Sequence, residues 1–104
     1  MLTVKRVLAV EDSPTVREVI RRVLGPIGFE VIEADSYEGA MAAMTEGVPD
    51  LVIADCSVPG VDWKMFLGAV RGGETTVPVL MLSAGGTGAL AATALKSGAA
   101  DVLY

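Results

Sequence analysis

Residues 7–14 read Val7-Leu8-Ala9-Val10-Glu11-Asp12-Ser13-Pro14. This stretch decides the fold. Val4 to Val10 is a strand rich in Val and Leu, and it stops at two acids. Ser13 then supplies a helix cap, and Pro14 suits the first helical position, where a missing N–H costs nothing. Val16, Val19, Ile20, Val23 and Leu24 follow at i, i+3, i+4, i+7 and i+8, which is one helix face. Arg17, Glu18, Arg21 and Arg22 fall on the other side, and Gly25-Pro26 stops the helix. A strand thus runs into a helix through a pair of carboxylates.

Outward from this unit the alternation continues. Phe29 to Ala34 is a second strand, and Ser36 caps a helix with inner face Tyr37, Ala40, Met41 and Met44. Gly47-Val48-Pro49 ends it, and Leu51 to Ala54 is a short strand, apolar throughout and expected to be buried on both faces. Trp63, Phe66, Leu67 and Val70 mark a third helix, and Val79 to Leu82 a fourth strand. Gly85-Gly86-Thr87-Gly88 leads into a helix over about residues 89–97, and Asp101 to Tyr104 begins a fifth strand. Strands alternating with helices predict an α/β fold: a doubly wound parallel five-stranded sheet with right-handed crossovers. The chain, residues 1–104, reads as one domain.

Composition narrows the chemistry. Apolar residues make up 52% and aromatics only 5%, so the core is aliphatic. The single cysteine, Cys56, excludes a disulfide or a zinc cluster within the chain. The absence of histidine excludes Ser–His triads and His-ligated metals. A net charge of −5 disfavours nucleic acid and anionic membrane as direct partners. No signal peptide or membrane span is legible, so a cytoplasmic location is expected.

In an open α/β sheet, ligands bind beyond the carboxyl ends of the strands. Glu11 and Asp12 stand there after the first strand, Asp55 after the third, and Ser83 with Ala84 after the fourth. With strand order 2-1-3-4-5 the three acids converge. Clustered carboxylates repel, so at least one should have a raised pKa, and a hard divalent cation such as Mg²⁺ would relieve the repulsion.

Four segments carry a resemblance. They are Val7 to Pro14, Pro49 to Asp55 with Pro59-Gly60-Val61-Asp62, Val77 to Ala84, and Gly98 to Tyr104. In this order and spacing they resemble the response-regulator receiver domain of two-component systems, over the whole chain. The resemblance implies a flavodoxin-like sheet and a phosphoryl-accepting Asp55. It implies Mg²⁺ held by Glu11, Asp12, Asp55 and the backbone carbonyl of Ser57. Ser83 would hydrogen-bond the phosphoryl group and act as a switch, and small Ala84 would leave it accessible. The implied partner is a histidine kinase or histidine phosphotransfer protein. Apart from taking up and losing its own phosphoryl group, such a domain is not an enzyme.

The sequence differs from the family pattern at three places. Val102 stands where an aromatic is usual, and Trp63 where a glycine is. The family's active-site lysine would follow Tyr104 directly, and its last helix would lie beyond. The expectation is therefore of a receiver domain cut short, with one sheet face bare and prone to self-association. Two other readings compete. One is a phosphorylation-independent pseudo-receiver that serves only as an interaction module. The other is a nucleotide-binding α/β domain using Gly86-Thr87-Gly88.

Overall fold

A computed structural model of the chain describes residues 5–55, 58, 65, 66, 68, 70, 77–82 and, as backbone, 101–103. The elements are β1 (Lys5–Val10), α1 (Pro14–Leu24), β2 (Phe29–Ala34), α2 (Tyr37–Glu46), β3 (Leu51–Asp55), β4 (Val79–Leu82) and β5 (Asp101–Leu103). The strands form one five-stranded sheet in the order β2-β1-β3-β4-β5, parallel at every pairing. The parallel sheet is the one expected from the alternation, and its order is that of the flavodoxin-like sheet implied by the resemblance. Cys56, Ser57, Trp63, Ser83, Ala84, the Gly85–Gly88 loop and the helix expected near residues 89–97 lie outside the described residues.

Strand position follows from side-chain pattern. β1 and β3 are central, and their apolar runs Val7–Val10 and Val52–Ala54 are buried, as strands covered on both faces must be. β2 is an edge strand, and it alone of these three interleaves exposed acids, Glu30 and Glu33, with apolar residues. One core cluster joins Leu8, Val10, Val52, Val79 and Met81 of the sheet to Ala40 of α2 and to Phe66 and Val70. Met65, Phe66, Gly68 and Val70 are helical, as the Phe66–Val70 spacing predicts. Tyr37 meets Phe66 edge to face at 6.2 Å, a contact that uses two of the few aromatics. Ala40 is fully buried, and its small side chain lets α2 lie close to the sheet.

Both helices begin as predicted. Ser13 Oγ accepts from Val16 N–H at 3.3 Å, and Ser36 Oγ from Gly39 N–H at 3.1 Å. α1 ends at Leu24, as the Gly25-Pro26 stop predicts. A 3₁₀ turn over Gly25–Ile27, which the sequence did not signal, follows it. Pro26 has no N–H to continue the α ladder but fits the first position of a new turn. Gly28 then closes the turn at φ 103, a left-handed conformation suited to glycine, with its N–H on the Gly25 carbonyl at 3.0 Å.

Among the described residues, the two faces of the sheet are unequally covered. None of the residues on the apolar face of α1 is fully buried. Val19 is 54% and Val23 59% exposed. Beside them lies an apolar groove of about 200 Å³, lined by Val19, Ile20, Val23, Leu24, Ile53, Leu80 and Leu82. No helix among the described residues is long and apolar enough to cross a membrane.

Candidate functional site

Register brings the acids together. Val10 ends β1 beside Ala34 of β2 and Ala54 of β3. Glu11 and Asp12 therefore leave β1 next to Asp55, which ends β3 opposite Leu82 of β4. Glu11, Asp12 and Asp55 each offer a carboxylate oxygen within 4.8 Å of the others. Glu11 and Asp55 are buried, at 2% and 8% exposure, while Asp12 faces solvent.

Glu11 is held at almost every polar atom. Its N–H donates to the Ala34 carbonyl at 2.9 Å. Its own carbonyl accepts from Arg17 Nη1 at 2.7 Å, and its Oε1 accepts from Ser13 N–H at 3.0 Å. Only Oε2 is buried without a hydrogen-bond partner. A carboxylate oxygen in that state is costly, so the site favours either a proton or a cation there.

Burial accordingly pushes the Glu11 carboxyl from 4.5 up to about 7. Loss of hydration is the largest cause, and the neighbouring Asp55 carboxyl adds to it. The Ser13 N–H opposes the rise, and Asp12 together with the charge of Asp55 reinforces it. The raised pKa expected from clustered acids thus falls on Glu11, the most buried of the three. The donor set is three hard carboxylate oxygens around a deficit of positive charge, and it fits a small divalent cation.

The Ser57 carbonyl, Ser83 and Ala84 lie outside the described residues, as does the glycine loop of the nucleotide-binding alternative. One contributor was not identified from sequence. Arg17, placed by periodicity on the outer side of α1, turns inward, and its side chain is only 19% exposed. Its Nε also meets Glu33 Oε1 at 3.2 Å. The other Glu33 oxygen accepts from Arg21 at 2.6 Å, while Arg21 and Arg22 both pair with Glu18. Arg17, Glu33, Ala34, Asp35 and Gly39 line an open pocket of about 320 Å³ beside the acids. The sequence signal for Arg17 was its place three residues into α1, close to the acid pair.

Comparison with known proteins covers the same span. The family model for the response regulator receiver domain matches residues 7–104. The response regulator protein FleR of Pseudomonas aeruginosa is 37% identical over 94% of the chain. The phosphate regulon transcriptional regulatory protein PhoB of Escherichia coli is 34% identical over 95% of it. The chain spans 21% of FleR and 44% of PhoB. Among solved structures, chemotaxis protein CheY4 of Vibrio cholerae superposes with a TM-score of 0.85 at 29% identity, covering 97% of this chain and 86% of that one. A receiver domain protein from Clostridium thermocellum gives 0.84 at 27% identity, covering 95% and 80%. Family match, fold and strand-end acids agree from β1 to β5, and the chain belongs to the response regulator receiver domain family.

Proposed function

We propose that the chain is a cytoplasmic receiver that accepts a phosphoryl group on Asp55 from a phosphohistidine of a kinase or phosphotransfer protein. The observation that carries this reading is the convergence of Glu11, Asp12 and Asp55 around a buried, unpartnered Glu11 oxygen. A carboxylate attacks a phosphoryl group poorly because both are anionic. Glu11, Asp12, Asp55 and the Ser57 carbonyl would hold a Mg²⁺ ion, whose positive charge, when bound, would offset this repulsion. An Asp55 oxygen forms the new bond to phosphorus as the donor's P–N bond breaks. The imidazole nitrogen leaves with the bonding pair and takes up a proton. Ser83 donates a hydrogen bond to a phosphoryl oxygen and moves with it, and Ala84 keeps the approach open. The changed charge at the strand ends then biases the fold toward a second conformation. In a longer protein built like PhoB, this domain would be the part that receives the signal. The test is transfer from a small phosphodonor such as acetyl phosphate. Asp55 should acquire one hydroxylamine-labile phosphoryl group, and Asp55→Asn should not be modified.

A second proposal concerns partners. The groove between α1 and the sheet is lined only by apolar residues, and the exposed Val19 and Val23 form a ridge at its rim. An exposed apolar face of this kind can pair with the same face of a second copy across a two-fold axis. The chain is expected to self-associate at tens of micromolar in sedimentation, and Val19→Lys with Val23→Lys should return it to monomer. A wild-type chain that sediments as monomer would refute this surface.

A further inference from the structure

We propose that Arg17 is a positioning residue for the acid cluster: its guanidinium holds the Glu11 carbonyl and so fixes how Glu11 and Asp12 are presented to a divalent cation. The proposal rests on the metal-binding reading above and extends it to a residue of α1. The peptide group that joins Glu11 to Asp12 sets the relative placement of the two residues from which both side chains project. Its carbonyl is the one Arg17 Nη1 reaches at 2.7 Å. Residue 11 is also gripped from β2 in two ways. Ala34 takes its N–H directly, at 2.9 Å. Glu33, the preceding residue, acts through Arg17, accepting from its Nε at 3.2 Å.

Arginine suits this task. Its rigid planar fork donates to a carbonyl on one side and a carboxylate on the other at once, which a lysine ammonium on a flexible stem does less well. Exposure separates Arg17 from its neighbours. Its side chain is 19% exposed, against 49% for Arg21 and 78% for Arg22. Arg21 secures the far oxygen of Glu33 without touching residue 11, so it provides a matched control. With carbonyl, N–H and Oε1 all anchored, the one Glu11 atom left to bind is Oε2.

Groups that orient metal ligands from behind typically change affinity by roughly 10–100-fold when removed. Calorimetric titration of the wild-type chain with Mg²⁺, at a temperature where circular dichroism shows every variant folded, tests the assignment. Arg17→Ala is expected to weaken Mg²⁺ binding within that range, Arg17→Lys to recover part of the loss, and Arg21→Ala to leave affinity unchanged. A purely structural Arg17 would lower the melting temperature and leave the affinity of the folded protein unaltered. That result, or equal weakening by Arg21→Ala, would overturn the assignment while leaving the metal site intact. Wild type that binds no Mg²⁺ would overturn both. Should Arg17→Ala not fold, Arg17→Lys against wild type decides: several-fold weaker binding supports the role, and equal binding refutes it.

Discussion

At about pH 8 without divalent cations, Glu11→Gln should be more stable than the wild-type chain by on the order of 3 kcal/mol, a rise in Tm of more than about 10 °C. Glu11 titrates near 4.5 when unfolded and at about 7 when folded. Each pKa unit is worth about 1.4 kcal/mol. Because the folded value is raised, the folded state binds more protons between these two values. Stability is therefore full below about pH 4.5 and is lost as pH rises through 7. Glutamine mimics the protonated form. Its oxygen can accept the Ser13 N–H, and its amide can donate to Asp55, without an ionisation to suppress. At about pH 5 the advantage should shrink to under about 1 kcal/mol, since the wild-type carboxyl is then protonated in the fold. Denaturant unfolding of both proteins at the two pH values reads this out. An equal difference at both would mean that burial of the Glu11 charge is not the cause.

Mg²⁺ should reverse the same destabilisation, and its binding should depend on pH with a defined sign. An ion that occupies the position facing Glu11 Oε2 displaces the proton held there. Below about pH 7 the apparent affinity should rise about tenfold per pH unit and level off above it, with close to one proton released per ion. At a hundredfold excess over its dissociation constant, Mg²⁺ should stabilise the fold by about 2.7 kcal/mol. Asp55→Asn should stabilise the metal-free form, by removing one of the clustered charges, and weaken the response to Mg²⁺. Titration in two buffers of different ionisation enthalpy measures the proton release. A pH-independent affinity, or a melting curve that Mg²⁺ leaves in place, would contradict the cluster as a metal site.

Sequence patterns located the elements and the acids because both are local signals. Alternating strands and capped helices specify a parallel sheet, and placing acids at strand ends requires only counting residues. Thus Glu11, Asp12 and Asp55 could be grouped before any distance was known, and the structure brings their oxygens within 4.8 Å. Four features were not legible, each for a physical reason. Helical periodicity assigns Arg17 to the outer side of α1, but it cannot show that a long side chain folds back over the helix start to reach the Glu11 carbonyl. The apolar stripe on α1 signals a face to be covered, whereas the depth of its cover depends on what packs there, and Val19 and Val23 remain more than half exposed. The Gly25–Ile27 turn arises from Gly25, Pro26 and Gly28 acting together, though Gly25-Pro26 alone suggests only a stop. The raised pKa of Glu11 was likewise beyond the sequence, since it follows from the burial of that carboxyl.

The proposed Mg²⁺-dependent phosphoryl-acceptor site comprises the three acids, with Asp55 the acceptor. Intact-protein mass spectrometry after incubation with acetyl phosphate, followed by peptide mapping, tests it most directly. One added phosphoryl group is expected, located on Asp55, lost on treatment with hydroxylamine, and absent in the presence of a chelator or in Asp55→Asn. A chain that stays unmodified with Mg²⁺ present, or whose modification persists unchanged in Asp55→Asn, would contradict it.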